Sequence, residues 1–265
     1  MRTWLAVVLL LLAAGPVRGI AIVSGNGGGN TTPPADDPGW DHVGYRAAGN
    51  ILPVVYLGKG WVITANHVGP GDVILGGVTY PWIPGSAHQL TNADGSASDL
   101  VVFRLRTEPP LPLLPIRATA PSVGDGVVII GRGQQRTTPT TWNGHNGYVL
   151  GTSGYLRWGT NVVEQTNVTL PVSGTRTHGF STTFSEKGDT PDEAQAAAGD
   201  SGSAVFVRNG STWELAGLAH ATRDYGGQPA GVVLFGAGTL ISDPSYYRSQ
   251  IDGLMATPVP RRRNQ

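Results

Sequence analysis

Glycine and proline interrupt this chain so often that long helices are excluded. Of its 265 residues, 39 are glycine and 20 are proline, and both residue types break helices and mark turns. Between the turns lie short apolar runs, at residues 51–57, 61–65, 72–75, 100–105, 127–130, 147–150, 161–164, 204–208, 213–219 and 231–235. Many short strands separated by turns are typical of a β-sandwich or a β-barrel.

Two other stretches refine this expectation. In residues 244–255, Tyr247, Ile251 and Leu254 recur at the spacing of one helix face. Prolines crowd residues 107–121, which favours a connector between two halves over a continuous sandwich. We therefore expect an all-β fold made of two barrels and closed by a short C-terminal helix.

The composition limits the classes of partner. Lysine plus arginine and aspartate plus glutamate each number 18, so the formal net charge is zero and we expect no nucleic acid or membrane partner. The absence of cysteine excludes thiol catalysis and cysteine-ligated metals. It also favours an exported bacterial protein, because secreted animal domains of this size usually carry disulfides.

The first 21 residues are typical of a secretory signal peptide. Arg2 supplies a positive start, residues 5–14 form a short apolar run, and Gly19 and Ala21 are small residues suited to signal peptidase. The alternative is an uncleaved membrane anchor, for which the apolar run is short. We expect cleavage after Ala21 and an extracellular or periplasmic mature chain. Residues 24–39, rich in glycine, asparagine and proline, predict a surface loop.

A histidine, an aspartate and a serine follow one another along the chain in distinctive settings. His67 comes after an apolar strand, Asp99 stands where a polar loop enters an apolar strand, and Ser201 lies among glycines. A serine hydroxyl becomes nucleophilic beside a base, and the base needs an orienting carboxylate. Each residue alone also fits a structural role, but together they indicate acyl transfer by Ser201. The N–H groups of Gly199 and Ser201 would form the oxyanion hole.

These segments resemble the signature motifs of the trypsin/chymotrypsin-like serine proteases. The matching segments are Thr64-Ala65-Asn66-His67, Asp99-Leu100-Val101-Val102 and Gly199-Asp200-Ser201-Gly202. The resemblance covers about residues 40–255, and it implies a double six-stranded β-barrel that hydrolyses peptide bonds. Asn66 and the pair Ser203-Ala204 depart from the residues that the family usually has.

The resemblance also implies a domain plan. A trypsin-like protease domain spans residues 40–255, with barrel one over about 40–108, the connector over 109–121, barrel two over about 122–242 and the helix over 244–255. The signal peptide (1–21) and a flexible N-terminal segment (22–39) precede this domain, and a tail (256–265) follows it. We expect a monomer without cofactor or metal.

Two further features are implied by the same resemblance. The floor of the substrate pocket falls at Gln195, and Ala196 would leave its entrance open. Because Gln195 is not an aspartate, a preference for arginine or lysine before the scissile bond is not expected. The alternative is a gap in the alignment that places Asp189, Asp192 or Glu193 in the pocket, which would reverse this expectation. His220 lies close to the pocket strand, where it either binds an acidic side chain of the substrate or is a buried, hydrogen-bonded structural residue.

Activation is the second such feature. Asp200 corresponds to the aspartate that pairs with a freed N-terminal amine in activated members of the family. Ile22-Val23-Ser24-Gly25 resembles the family's mature start, so we hypothesise that cleavage after Ala21 creates the activating amine of Ile22. The alternative is that Ile22 only begins a loose leader.

The sequence thus predicts a secreted serine endopeptidase that acts on protein or peptide substrates. Two alternatives stay open: a non-catalytic trypsin-like binding module, and an esterase on the same scaffold.

Overall fold

The computed structural model describes residues 7–8, 20–49, 51–152 and 155–256. Most of the expected signal peptide and tail, residues 1–6, 9–19 and 257–265, lies outside them. The strands of the N-terminal half are β1 (Val7–Val8), β2 (Ala21–Ile22), β3 (Val43–Arg46), β4 (Pro53–Gly58), β5 (Trp61–Ala65), β6 (Val73–Leu75), β7 (Val78–Tyr80), β8 (His88–Thr91) and β9 (Ala97–Arg104).

The C-terminal half continues in the same way. Its strands are β10 (Gly126–Gly131), β11 (Arg136–Trp142), β12 (His145–Leu150), β13 (Arg157–Val172), β14 (Thr175–Thr183), β15 (Ala194–Gln195), β16 (Ala204–Asn209), β17 (Thr212–Arg223), β18 (Val232–Leu234) and β19 (Gly238–Ser242). A 3-10 turn spans Trp40–His42, and the helix α1 spans Arg248–Met255. In the described part of the chain, no helix has the length and hydropathy needed to cross a lipid bilayer.

The first half is a seven-stranded antiparallel sheet in the order β7-β6-β3-β4-β5-β9-β8. Every residue of its central strands β4 and β5 is buried. Successive side chains point to opposite faces of a strand, so Val54 and Tyr56 enter a core within this half while Val55 and Leu57 enter a core shared with the second half. Burial on both faces explains why these strands appear in the sequence as unbroken apolar runs.

The second half closes on itself. Its strands follow the order β17-β16-β10-β13-β14-β19, and β19 pairs back onto β17, which completes a six-stranded barrel. The short strand β1 adds to β17 opposite Thr222 and Arg223. Two small sheets, β11-β12-β18 and β15-β2, flank the barrel.

The expected all-β fold with two barrel-like halves and a short C-terminal helix is confirmed. The strand count differs in the first half, where seven strands replace the six expected. The additional strand β7 arises because Gly76 and Gly77, with φ of 54° and 81°, turn the chain back onto β6. Glycine adopts this left-handed backbone readily, and a two-residue turn of this kind joins twisted strands closely.

Side chains of the C-terminal half hold the end of β2 and the segment between β2 and the 3-10 turn. Arg136 donates from Nε to the carbonyl oxygen of Ile22 at 2.6 Å and from Nη2 to that of Val23 at 2.7 Å. Its guanidinium is buried and lies 4.3 Å from the centre of the Tyr148 ring. Trp158 donates from Nε1 to the carbonyl oxygen of Thr32 at 3.0 Å. The segment has no regular secondary structure, yet hydrogen bonds fix its path along the barrel.

We predict that Arg136→Ala lowers the free energy of unfolding by about 2–4 kcal/mol, because it leaves buried carbonyl groups without donors. Urea denaturation of the purified protein measures this loss. Arg208 is the matched control, because its ion pair with Asp36 is about half exposed on both sides. Arg208→Ala should cost no more than about 1 kcal/mol. Equal losses in the two variants would contradict the clamping role of Arg136.

Candidate active site

Asp99 lies on β9 with no exposed surface, between two histidines. Its Oδ2 atom is 2.6 Å from Nδ1 of His67 and 2.9 Å from Nδ1 of His220. Its Oδ1 atom accepts the backbone N–H of His67 at 2.9 Å. The backbone N–H of Asp99 donates to Oγ1 of Thr177 at 2.8 Å. Because Thr177 lies on β14 and His220 on β17, the second barrel holds this aspartate of the first sheet.

These contacts keep the Asp99 carboxylate ionised. Burial alone would raise its pKa, but hydrogen bonds from His220 and His67 hold the pKa of Asp99 well below its usual range. A carboxylate that accepts several N–H groups keeps its charge even without solvent. The site therefore contains a permanent negative charge against which an imidazole is oriented.

Strand pairing places His67 beside that charge. β5 ends at Ala65, which is paired with Leu100 on β9, directly after Asp99. The next backbone N–H, that of Asn66, donates to the carbonyl oxygen of Asp99 at 3.0 Å. His67 then turns back over the aspartate, and its side chain keeps 22% of its surface exposed. The ring thus has one nitrogen on Asp99, and part of the ring stays exposed.

Ser201 reaches the same place from the turn between β15 and β16. Its Oγ atom is 3.4 Å from the backbone carbonyl oxygen of His220, and the rings of His220 and His67 lie edge to face at 6.1 Å. Gly202 has φ of 87°, and a Cβ atom added there would be 2.2 Å from the carbonyl oxygen of Pro53. The glycine after Ser201 therefore permits the close approach of this turn to the first sheet.

The peptide between Ala198 and Gly199 has a defined orientation. The carbonyl oxygen of Ala198 accepts the backbone N–H of Gln134 at 3.1 Å. The two polar groups of a trans peptide point in opposite directions, so the Gly199 N–H faces away from Gln134. Within the described residues, neither the Gly199 N–H nor the Ser201 N–H donates a hydrogen bond. Two free donors near a serine are the feature that an oxyanion hole requires.

Asp200 is a second buried carboxylate, and most of its partners are backbone N–H groups. Its oxygens accept the backbone N–H groups of Arg132, Gly133 and Ala197 at 2.6 to 2.9 Å, and the Ser203 hydroxyl at 3.2 Å. Burial raises the pKa of Asp200 to about 6 in spite of these donors. A carboxylate in this state gains from a nearby positive charge.

The structure places Ile22 and Ile20 differently relative to Asp200. Ile22 is paired with Ala194 in the sheet formed by β2 and β15 and is 1% exposed. A Cβ atom added to Gly131 would lie 2.3 Å from Oδ1 of Asp200 and 2.8 Å from Cγ2 of Ile20. Ile20 and Asp200 thus border the same glycine.

The residues expected to form the substrate pocket separate into two groups. Gln195 and Ala196 lie together at the end of β15, both buried, and the Ala196 N–H donates to Oγ1 of Thr239 at 3.0 Å. Oε1 of Gln195 is buried and has no hydrogen-bond partner among the described residues. Their role as pocket floor and entrance stays a prediction.

His220 does not fit the expectation that it binds an acidic side chain of a substrate. Its side chain has no exposed surface and donates to Asp99 instead. The alternative of a buried, hydrogen-bonded histidine describes it. The sequence signal for a buried, hydrogen-bonded histidine is its setting in Leu218-Ala219-His220-Ala221, because a polar ring within a buried apolar strand needs a polar partner. Nothing in the sequence indicated that the partner would be Asp99.

His67, Asp99 and His220 also form the group whose side chains could hold a metal ion, with one ligand atom of each within 4.8 Å of the others. Imidazole and carboxylate are suitable ligands for zinc. In this arrangement both Nδ1 atoms bind Asp99 directly, so the carboxylate orients the imidazoles and is not free to serve a cation.

Comparison with solved structures supports the same architecture. A mutant of human heparin binding protein superimposes with a TM-score of 0.59 at 18% identity, covering 88% of this chain and 98% of that chain. Neuropsin, a serine protease expressed in the limbic system of mouse brain, superimposes with a TM-score of 0.57 at 18% identity, covering 86% and 98%. At such identities the likeness shows the fold alone. No curated protein sequence matches the chain.

The family itself is established by sequence. The model of the trypsin family matches residues 54–234, a span that contains His67, Asp99 and Ser201. The chain therefore belongs to the trypsin family.

We predict that Asp99 makes stability depend on pH in the acid range. Because the folded-state pKa of Asp99 is lowered, its contribution is fully present above the unfolded value of about 4 and is lost as the pH falls further. The deficit in unfolding free energy of Asp99→Asn relative to wild type should therefore shrink below about pH 4. Urea denaturation at a series of pH values measures this trend.

Asp243 provides a control of opposite sign. Burial raises the pKa of Asp243, so the folded wild type loses stability as the pH rises and this carboxyl ionises. The deficit of Asp243→Asn should accordingly shrink toward higher pH. Parallel trends in the two variants would contradict the assignment of a lowered pKa to Asp99.

Proposed function

We propose that this protein is a secreted serine endopeptidase that hydrolyses peptide bonds through Ser201, His67 and Asp99. Two linked observations carry the proposal. Asp99 is buried and its Oδ2 atom binds both His67 and His220. Ser201 lies 3.4 Å from the carbonyl oxygen of that same His220, in a turn where the N–H groups of Gly199 and Ser201 donate no hydrogen bond among the described residues. Membership of the trypsin family supports the same reaction class.

The geometry supports the following chemistry. With its Nδ1–H on Asp99, His67 presents Nε2 as the base that removes the proton of Ser201. The serine oxygen attacks the scissile carbonyl, and the N–H groups of Gly199 and Ser201 stabilise the resulting oxyanion by roughly 3–4 kcal/mol per donor. His67 then protonates the leaving amine, and water releases the acyl group by the same route. Throughout, Asp99 stabilises the imidazolium form of His67.

An extended peptide fits the edge of β17. Thr222 and Arg223 of this strand are paired antiparallel with Val8 and Val7 of β1, so this edge can hydrogen-bond to an added strand. Backbone hydrogen bonds to a sheet edge bind peptides with little dependence on sequence. The side chain before the scissile bond would then enter the pocket at Gln195, whose neutral amide favours uncharged, hydrogen-bonding side chains over arginine or lysine.

A binding role is the alternative from another class. Some similar structures are named heparin binding protein, and heparin is a polyanion. This chain has a formal net charge of zero, and its buried Arg136 is occupied by backbone carbonyls. The presence of His67, Asp99 and Ser201 in their three motifs further favours catalysis over binding. Esterase activity would use the same triad, so turnover of peptides against simple esters decides between these substrates.

We predict that a fluorophosphonate labels the folded, mature protein stoichiometrically at Ser201, because the probe needs an activated serine and an oxyanion hole. Mass spectrometry locates the adduct. Ser201→Ala should remove both the label and peptide turnover, and His67→Ala should reduce labelling strongly while circular dichroism remains native. A folded wild-type protein without an adduct, or an active Ser201→Ala variant, would overturn the proposal.

For activation, we propose that the mature chain begins at Ile20 and that its amine pairs with Asp200. This replaces the hypothesis of a start at Ile22. Ile20 and Ala21 have no exposed surface, and Ile20 belongs to the apolar core of barrel two. Cleavage after Ala21 would remove this core side chain, at a cost of about 1.5–3 kcal/mol. Gly19 is also a residue that signal peptidase accepts before its cut.

N-terminal sequencing of the secreted protein tests this start directly. We predict Ile20 as the first residue, and we predict that Asp200→Asn lowers fluorophosphonate labelling because the ammonium loses its counter-charge. A mature chain that starts at Ile22 or later would contradict the proposal. Full labelling of Asp200→Asn would contradict the pairing with Asp200.

A further inference from the structure

His220 occupies a position where a polar side chain is costly. It lies on β17 between the buried residues Ala219 and Ala221, and its side chain has no exposed surface. Nδ1 is 2.9 Å from Oδ2 of Asp99, while Nε2 is buried and has no hydrogen-bond partner among the described residues. Burying an imidazole with only one hydrogen bond costs free energy of folding, unless that hydrogen bond stabilises the protein enough to offset the cost.

The surroundings determine the direction of the hydrogen bond between His220 and Asp99. An ionised carboxylate only accepts hydrogen bonds, so Nδ1 of His220 carries a hydrogen and donates it to Asp99. Nε2 of His220 has no hydrogen-bond partner among the described residues. Asp99 and His67 are the titratable groups in contact with it in the described structure.

Two imidazoles consequently share one carboxylate oxygen. Nδ1 of His67 and Nδ1 of His220 both bind Oδ2 of Asp99, at 2.6 and 2.9 Å. Each donor draws on the same negative charge, so the bond to His220 weakens the hold of the carboxylate on the proton of His67. Together with the backbone N–H of His67 on Oδ1 at 2.9 Å, it fixes the orientation of the carboxylate.

We propose that His220 is a positioning residue of the catalytic site, which orients Asp99 and reduces the basicity that Asp99 confers on His67. The inference rests on the proposed serine endopeptidase function. His220 acts through Asp99 and does not touch the substrate with its side chain. Its backbone carbonyl oxygen lies 3.4 Å from Oγ of Ser201, so the position of β17 also affects the position of the proposed nucleophile.

The sign of the effect on pH dependence follows from the shared charge. Without the donor on His220, the charge of Asp99 acts on His67 alone and favours its imidazolium form. As the pH falls, His67 is then protonated at a higher pH than in the wild type and no longer acts as a base. The acid limb of the kcat/KM profile therefore moves to higher pH. A hydrogen bond to a charged group corresponds to a shift of about one pH unit. A residue that only fills space would leave this limb in place.

His220→Leu and His220→Asn form the matched pair for the test, because leucine and asparagine have nearly the same shape. Asparagine places an N–H donor close to the position of Nδ1, and leucine has none. With the mature full-length protein, we expect His220→Leu to lower kcat about tenfold with little change in KM and to move the acid limb upward. His220→Asn should restore most of the rate and the position of the limb.

Equal rates and unchanged acid limbs in wild type and both variants would overturn the role of His220. If the leucine variant does not fold, His220→Gln replaces it, since glutamine places its amide near Nε2 and away from Asp99. Then a glutamine variant as active as the asparagine variant, with the same limb, overturns the proposal. Fluorophosphonate labelling of the wild type distinguishes failure of the proposed role of His220 from failure of the proposed endopeptidase function. An unlabelled wild type refutes the endopeptidase function itself.

Discussion

A single buried carboxylate, that of Asp99, joins the two halves of the molecule. It belongs to the first sheet, yet its backbone N–H and its Oδ2 atom are bound by Thr177 and His220 of the second barrel. Removing one partner from a buried charge costs about 3–5 kcal/mol, so the docking of the halves and the orientation of His67 depend on the same group. The candidate site forms where the halves meet, and its hydrogen bonds to Asp99 stabilise that contact.

Local chemistry made much of the site visible in the sequence. Ser201 stands among glycines because its turn needs a positive φ at Gly199 and a close approach at Gly202. The strand Trp61–Ala65 was predicted with its observed bounds, because burial on both faces leaves an uninterrupted apolar run. His67 and Asp99 follow from where such runs end or begin. Signals of this kind lie within a few neighbouring residues.

Features that depend on distant pairing could not be predicted in the same way. The strand Thr175–Thr183 is rich in threonine and lacks an apolar run, and its position is set by pairing with β13 and β19. The contact of His220 with Asp99 joins residues 121 positions apart. Nothing near either residue in the chain encodes it. The burial of Ile20 likewise could not be predicted, because its neighbours in the core of barrel two are distant in the chain.

The clamp formed by Arg136 has a consequence for where the protein can fold. The chain contains no cysteine, and the segment between β2 and the 3-10 turn is fastened by guanidinium–carbonyl hydrogen bonds. Such bonds form as soon as the chain folds and need neither an oxidant nor a disulfide isomerase. The mature fold is therefore indifferent to thiol reductants, and it should assemble as well in a reducing cytosol as in an oxidising medium.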